Sequence, residues 1–112
     1  MNQHNILIIE DDTGIQALTK FSLEMDDYWQ VTSAFNGHEG LFKAMNINPD
    51  VILLDLMMPD MGGIEILEKL QSDRTTQNIP VILFTAKLIK VENLELENKN
   101  LIGLITKPFD CL

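Results

Sequence analysis

Four short apolar runs end in, or lead into, side chains able to do chemistry. Glu10-Asp11-Asp12 closes the run that begins at Ile6, Asp55 closes Val51-Ile52-Leu53-Leu54, Thr85 closes Val81–Phe84, and Ile102–Thr106 leads into Lys107-Pro108. Singly, each has an ordinary structural role. Asp12 can cap a helix, an Asp after a strand forms turns, Thr suits a strand, and a lone Lys is usually solvated. Together they call for another reading. Three carboxylates brought to one crevice repel one another unless a cation joins them. Mg²⁺ suits such a place, being a hard ion with oxygen ligands that usually keeps several waters and a phosphate oxygen. Lys107 adds a fixed positive charge and Thr85 a hydroxyl. Phosphoryl transfer needs these parts, because its catalysis is chiefly positioning and charge neutralisation. Asp55 is the expected acceptor carboxylate.

The elements that must position these residues follow from hydrophobic periodicity. Strands are expected at Ile6–Glu10, Gln30–Ala34, Val51–Asp55 and Val81–Thr85, with a weaker fifth at Ile102–Thr106 that contains Gly103. Three are continuously apolar, as in parallel strands covered on both faces; Gln30–Ala34 alternates and is the expected edge. Helix-period segments lie between them. Ile15, Leu18, Ser22 and Met25 share one face, broadened by Phe21, and Thr13 and Gln16 have capping-box spacing. Asn36-Gly37 opens a second helix carrying Leu41, Ala44 and Met45, and Gly62-Gly63 a third carrying Ile64, Leu67 and Leu70. Asn48-Pro49 and Ile79-Pro80 punctuate the chain before strands. Lys87–Asn100 permits a helix but shows no cap. Alternating strand and helix predict an α/β fold, an open doubly wound parallel sheet. Its functional crevice lies beyond the carboxyl ends of the strands.

Composition bounds the partners. The 112 residues fit one domain, and 46 % hydrophobic content is enough for a globular core. Eight basic against seventeen acidic residues give a net charge of −9, which disfavours nucleic acid and anionic membranes. The apolar runs are too short to span a bilayer, and no secretory leader precedes Asn5. Cys111 is the sole cysteine, so no internal disulfide forms and a reducing, cytoplasmic setting is expected. Tyr28, Trp29 and Phe42 are expected in core or edge packing, and Met57, Met58 and Met61 in a loop rather than a soft-metal site. His4 and His38 lie apart, with no partner evident.

The motifs Ile-Ile-Glu-Asp-Asp at 8–12, Asp-Leu-Met-Met-Pro-Asp-Met-Gly-Gly at 55–63, Phe-Thr-Ala-Lys at 84–87 and Thr-Lys-Pro-Phe at 106–109 carry a resemblance. In this order and at these intervals, the chain resembles the receiver domain of two-component response regulators over essentially its whole length. The resemblance implies a flavodoxin-like five-stranded sheet of order 2-1-3-4-5. It implies Asp55 as phosphoacceptor and Mg²⁺ held by Asp11, Glu10, Asp55 and the Met57 backbone carbonyl. Thr85 closes on the phosphoryl group, Lys107 pairs with the acceptor and then the phosphate, and Pro108 follows in a usually cis bond. Ala86 is small beside the phosphate entry path. The implied partner is a sensor histidine kinase or phosphotransfer protein, and the domain is a switch rather than an enzyme.

Three departures stand out. Leu104 occupies the place of the usual Tyr or Phe, so the aromatic that swings inward is absent and the readout on that face must differ. Asn100 replaces a glycine at the expected end of the fourth helix. The chain ends at Leu112, where the family has a fifth helix, so an apolar surface beside the first helix is expected to lie open in a fragment of a longer chain, or to be covered by a homodimer. Competing readings fare worse. A flavodoxin-like cofactor binder needs a Ser/Thr/Gly-rich loop where Glu10-Asp11-Asp12 stands, and a dehalogenase-type phosphatase needs an Asp where Met57 stands. A receiver-like interaction module that is never phosphorylated is opposed by the complete set of Asp11, Asp55, Thr85 and Lys107.

Overall fold

A computed structural model of the chain describes residues 3–56, 58–85 and 101–106, with Thr85 and 101–106 described as backbone only. The elements run β1 (His4–Ile9), α1 (Thr13–Glu24), β2 (Trp29–Ala34), α2 (Gly37–Ile47), β3 (Val51–Asp55), α3 (Gly63–Ser72), β4 (Val81–Thr85) and β5 (Leu101–Thr106). All strand pairs are parallel, in the order β2-β1-β3-β4-β5. The edge position of β2 follows its alternating sequence, since only its inner rows need be apolar. β5 joins with a register irregularity: Val81 faces Leu101 but Ile82 faces Gly103, so Ile102 has no opposite number.

Strand alternation divides the core into two layers. Leu7, Ile9, Ile52, Leu54, Val81 and Leu83 point to the side covered by Ala44 of α2 and by Ile66, Leu67 and Leu70 of α3. Ile6, Ile8, Val51, Leu53 and Phe84 point to the other side, packed by Ile15 and Leu23 of α1. Burial on both faces is why β1, β3 and β4 read as unbroken apolar runs.

Helix α1 differs from its expected form in two ways. Its cap is Asp12, whose carboxylate accepts from the Ile15 amide at 2.9 Å. Thr13 and Gln16 form no capping box, because Gln16 is turned inward and only 2 % exposed. Its Nε2 lies 2.9 Å from the Ile8 carbonyl, 2.7 Å from that of Ala34 and 3.3 Å from that of Glu10. That anchorage fixes the helix's rotation, so Ile15, Thr19 and Leu23 turn toward the sheet. Leu18, Phe21 and Met25, expected on the inner face, stand 47 %, 67 % and 75 % exposed.

α2 ends at Asn48, whose φ of 54° is the left-handed conformation that Asn tolerates well. Pro49 then blocks continuation. α3 ends in an Asx turn at Asp73, which accepts from the amide and hydroxyl of Thr75, while buried Thr76 donates to the Leu70 carbonyl at 2.6 Å. Met45 and Phe42 of α2 are exposed, although core or edge packing was expected of Phe42. Tyr28 and Trp29 do form edge packing: their rings meet edge to face, and Tyr28 stacks on His4 with centroids 4.4 Å apart.

Close approach of α2 to β1 depends on Gly40. A Cβ there would lie 2.6 Å from Ile9 Cδ1 and 2.8 Å from both of its Cγ atoms. Gly40→Ala is therefore expected to cost about 1–3 kcal/mol through overpacking. Gly14, where a Cβ would meet only Asp12 Oδ1 at 3.3 Å, should accept Ala within about 0.5 kcal/mol. Urea denaturation of the two variants checks the contrast.

Candidate functional site

The parallel registers bring the strand ends into one row. Ile9 faces Leu54, Asp55 faces Phe84, Phe84 faces Ile105, and Thr85 faces Thr106. One residue past β1, Glu10 therefore arrives beside Asp55. Glu10 is fully buried, Asp55 is 3 % exposed, and Asp11 opens to solvent. One carboxylate oxygen from each of the three lies within 4.8 Å of the others. An all-oxygen donor set of this kind, two members buried and one facing water, fits a hard divalent cation. Such an ion would offset the mutual repulsion of the three groups.

Each member is positioned by backbone. The Glu10 amide donates to the Ala34 carbonyl at 3.0 Å, continuing the β1–β2 pairing past the strand. The Glu10 carboxylate accepts from the Asp12 amide at 3.0 Å. The Gln16 amide grips the carbonyls on both strands from below. Sequence reasoning assigned Gln16 to a capping box with Thr13, because its spacing from Thr13 is a local signal and the strand carbonyls it reaches are not. Asp12 belongs to α1 as its cap.

The loop after Asp55 is closed at its base, where the Gly63 amide donates to the Leu56 carbonyl at 2.8 Å. Gly63 is required there, since a Cβ would fall 2.8 Å from Leu56 Cα and 3.1 Å from the Asp55 carbonyl oxygen. Met58 and Met61, expected only as loop residues, fasten the loop by burying their side chains in the core.

A second fastening was not legible in the sequence. The Asp60 carboxylate accepts from the Gly37 amide at 3.0 Å and the His38 amide at 3.2 Å, and His38 Nδ1 lies 2.9 Å away. Asn36 takes the Glu39 amide at 2.8 Å, and the Gly40 amide donates to the Asn36 carbonyl at 2.9 Å. The four amides that open α2 are thus all satisfied, two of them by a distant loop. Glu39 reaches back to the Phe35 amide at 2.7 Å and pairs with Lys43 at 3.0 Å. The histidines, expected without partners, therefore both have them, since His4 also lies 3.6 Å from Asp50.

Of the expected site residues, Glu10, Asp11 and Asp55 are brought together, and the Thr85 backbone ends β4 beside them. Met57, Ala86, Lys107, Pro108 and the Lys87–Asn100 segment lie outside the described residues. No helix among the described residues is long and apolar enough to cross a membrane.

The response regulator receiver domain family matches residues 6–111, and the chain belongs to that family. It is 38 % identical over 112 residues to hybrid signal transduction histidine kinase D of Dictyostelium discoideum, covering 96 % of this chain and 7 % of that protein. It is 37 % identical over 105 residues to the DNA-binding dual master transcriptional regulator RpaA of Synechocystis, covering 94 % and 43 % respectively. The chain thus spans less than half the length of either relative. Among solved structures, it superposes on the N-terminal domain of a response regulator receiver protein from Methanoculleus marisnigri with a TM-score of 0.87 at 33 % identity, covering 95 % of this chain and 85 % of that one. The chemotaxis protein CheY4 of Vibrio cholerae gives 0.84 at 26 % identity, covering 96 % and 88 %. The flavodoxin-like architecture is that of these receiver domains.

The Gly37 amide holds the Asp60 carboxyl below the usual carboxylate range, with His38 adding to the effect and burial opposing it. The Phe35 amide, then Lys43, does the same for Glu39. A folded value below the unfolded one means that stability is fully present above the unfolded value, about 4, and is lost as pH falls through the folded value. Asp60→Asn is expected to lower stability at neutral pH and flatten its decline below about pH 4. Urea denaturation across pH measures both effects.

Proposed function

We propose that this receiver domain accepts a phosphoryl group on Asp55 from the phosphohistidine of a sensor histidine kinase or phosphotransfer protein, and that the modification switches its binding to other proteins. The observation that carries the reading is the convergence of the Glu10, Asp11 and Asp55 carboxylates at the carboxyl ends of β1 and β3.

The Asp55 carboxylate attacks phosphorus in line. The P–N bond to the donor imidazole breaks, the imidazole leaves with the bonding pair, and an acyl phosphate forms on Asp55. Water attack at phosphorus later releases inorganic phosphate and restores the carboxylate. Mg²⁺ held by Glu10, Asp11 and Asp55, with the Met57 carbonyl as the family suggests, supplies charge neutralisation on the phosphoryl oxygens when bound. Thr85 donates a hydroxyl hydrogen bond to the phosphoryl group. Lys107 pairs first with the acceptor carboxylate and then with the phosphate. Burial of Asp55 strengthens these electrostatic contacts and limits water. Leu104 lies in β5 opposite Leu83; with no aromatic there, the switch is read elsewhere than by a ring turning inward on that face.

Incubation with Mg²⁺ and acetyl phosphate should give an acid-stable, hydroxylamine-labile adduct on the wild type and none on Asp55→Asn or without Mg²⁺. Equal labelling of wild type and Asp55→Asn would remove Asp55 as the acceptor. No labelling of either, in a folded chain, would favour the module that acts without phosphorylation.

A further inference from the structure

The Asp60 contact places the acceptor's loop and α2 under one constraint. Asp60 lies five positions beyond Asp55, in the loop that Gly63 closes on Leu56 at 2.8 Å. Its carboxylate supplies acceptors to the first two amides of α2 and contacts the His38 ring. The packing around this joint is tight: a Cβ on Gly37 would come within 2.8 Å of Met61 Cβ and 3.1 Å of Ile66 Cδ1. The helix start therefore sits directly against the side chains of Met61 and Asp60 in the loop and of Ile66 in α3. A carboxylate at a helix N-terminus is favoured by the dipole as well as by the hydrogen bonds. Loss of the Asp60 carboxylate leaves two amide donors of α2 without that acceptor.

We propose that Asp60 is a positioning residue for the Asp55 site: it holds the acceptor loop against the N-terminus of α2, and so couples events at Asp55 to that helix. The inference rests on the functional reading above. Asp60 touches no reacting atom in this scheme and acts through the loop that follows the acceptor. Coupling of this kind is reciprocal in its binding energies. Mg²⁺ binding at the carboxylates must then be felt at Gly37 and His38, and loosening α2 must be felt at the carboxylates. The face that would carry the signal includes Phe35 and Phe42, 43 % and 64 % exposed on either side of the joint.

The experiment compares wild type with Asp60→Ala, Asp60→Asn and His38→Ala. Three quantities are read: Mg²⁺ affinity by calorimetry, the rate of labelling by acetyl phosphate, and the Gly37 and His38 amide resonances during Mg²⁺ titration. Supporting residues one layer behind a metal site typically cost about 10–100-fold when removed. Asp60→Ala is expected to weaken Mg²⁺ binding and slow labelling by roughly tenfold, the low end of that range. Asp60→Asn, which keeps an acceptor oxygen, should recover most of the loss, and His38→Ala should fall between. In wild type the two amides shift with Mg²⁺ occupancy, and in Asp60→Ala they do not. Should Asp60→Ala fail to fold, Asp60→Asn and His38→Ala carry the same comparison. Affinity and labelling rate within twofold of wild type, with only a lowered melting temperature, would make Asp60 a mere cap and overturn the proposal. Wild-type amides unmoved by saturating Mg²⁺ would overturn it too. A wild type that binds Mg²⁺ and moves those amides but takes no phosphoryl group would defeat the functional reading while supporting the coupling.

Discussion

Parallel registers place the ends of five strands in one row, and the Glu10–Asp11–Asp55 cluster exists because of that row. β1, β3 and β4 are short and mostly buried, so their register is strongly held: a one-residue slip would turn a whole apolar set to the wrong face. Slippage of β1 against β3 would also take Glu10 away from Asp55. The same apolar packing that stabilises the sheet thus sets the spacing of the carboxylates. Nothing in the carboxylates themselves favours their proximity, and the core must oppose their repulsion whenever no cation is present.

Backbone amides and carbonyls do most of the positioning around that row. Gln16 engages carbonyls on β1 and β2, Asp12 caps α1 from the turn after Glu10, and Gly63 permits the acceptor loop to close on Leu56. Side-chain rotamers matter less than the turns that carry them. This explains why three glycines, at 37, 40 and 63, stand where a Cβ would meet atoms closer than 3.0 Å. All three lie where α2 or the start of α3 is pressed toward β1 or the acceptor loop.

Sequence patterns exposed the strands, their parallel pairing and the converging carboxylates, because continuous apolar runs and polar strand ends are local signals, whereas the strand order came from the resemblance. The motifs then placed the chain in its family. The inner face of α1 was not legible. Leu18, Phe21 and Met25 form an apolar stripe as regular as Ile15, Thr19 and Leu23, and the choice between them depends on where Gln16 finds its acceptors. The Asp60 joint escaped for a different reason. It links a loop to a helix start more than twenty residues away, and a helix opening with Asn36 and Glu39 already looks capped. Neither residue pattern announces that two further amides await an acceptor from elsewhere.

Among the described residues, the loop after Asp55 is held by the Gly63–Leu56 closure, the buried Met58 and Met61 side chains and the Asp60–α2 joint. Fixing the backbone costs about 1–2 kcal/mol for each residue. Burying Met58 and Met61 returns roughly 1.5–3 kcal/mol apiece. Hydrogen bonds to a charged acceptor such as Asp60 add about 1.5–3 kcal/mol each. A dianion placed on Asp55 changes the local electrostatics by a comparable amount. Two of the loop's hydrogen-bonded fastenings differ in charge: the Gly63–Leu56 closure carries none, and the Asp60–α2 joint does. Of the two, only the Asp60–α2 joint involves a charged side chain, so in the proposed scheme a dianion on Asp55 would act on α2 through the loop that joins the two aspartates.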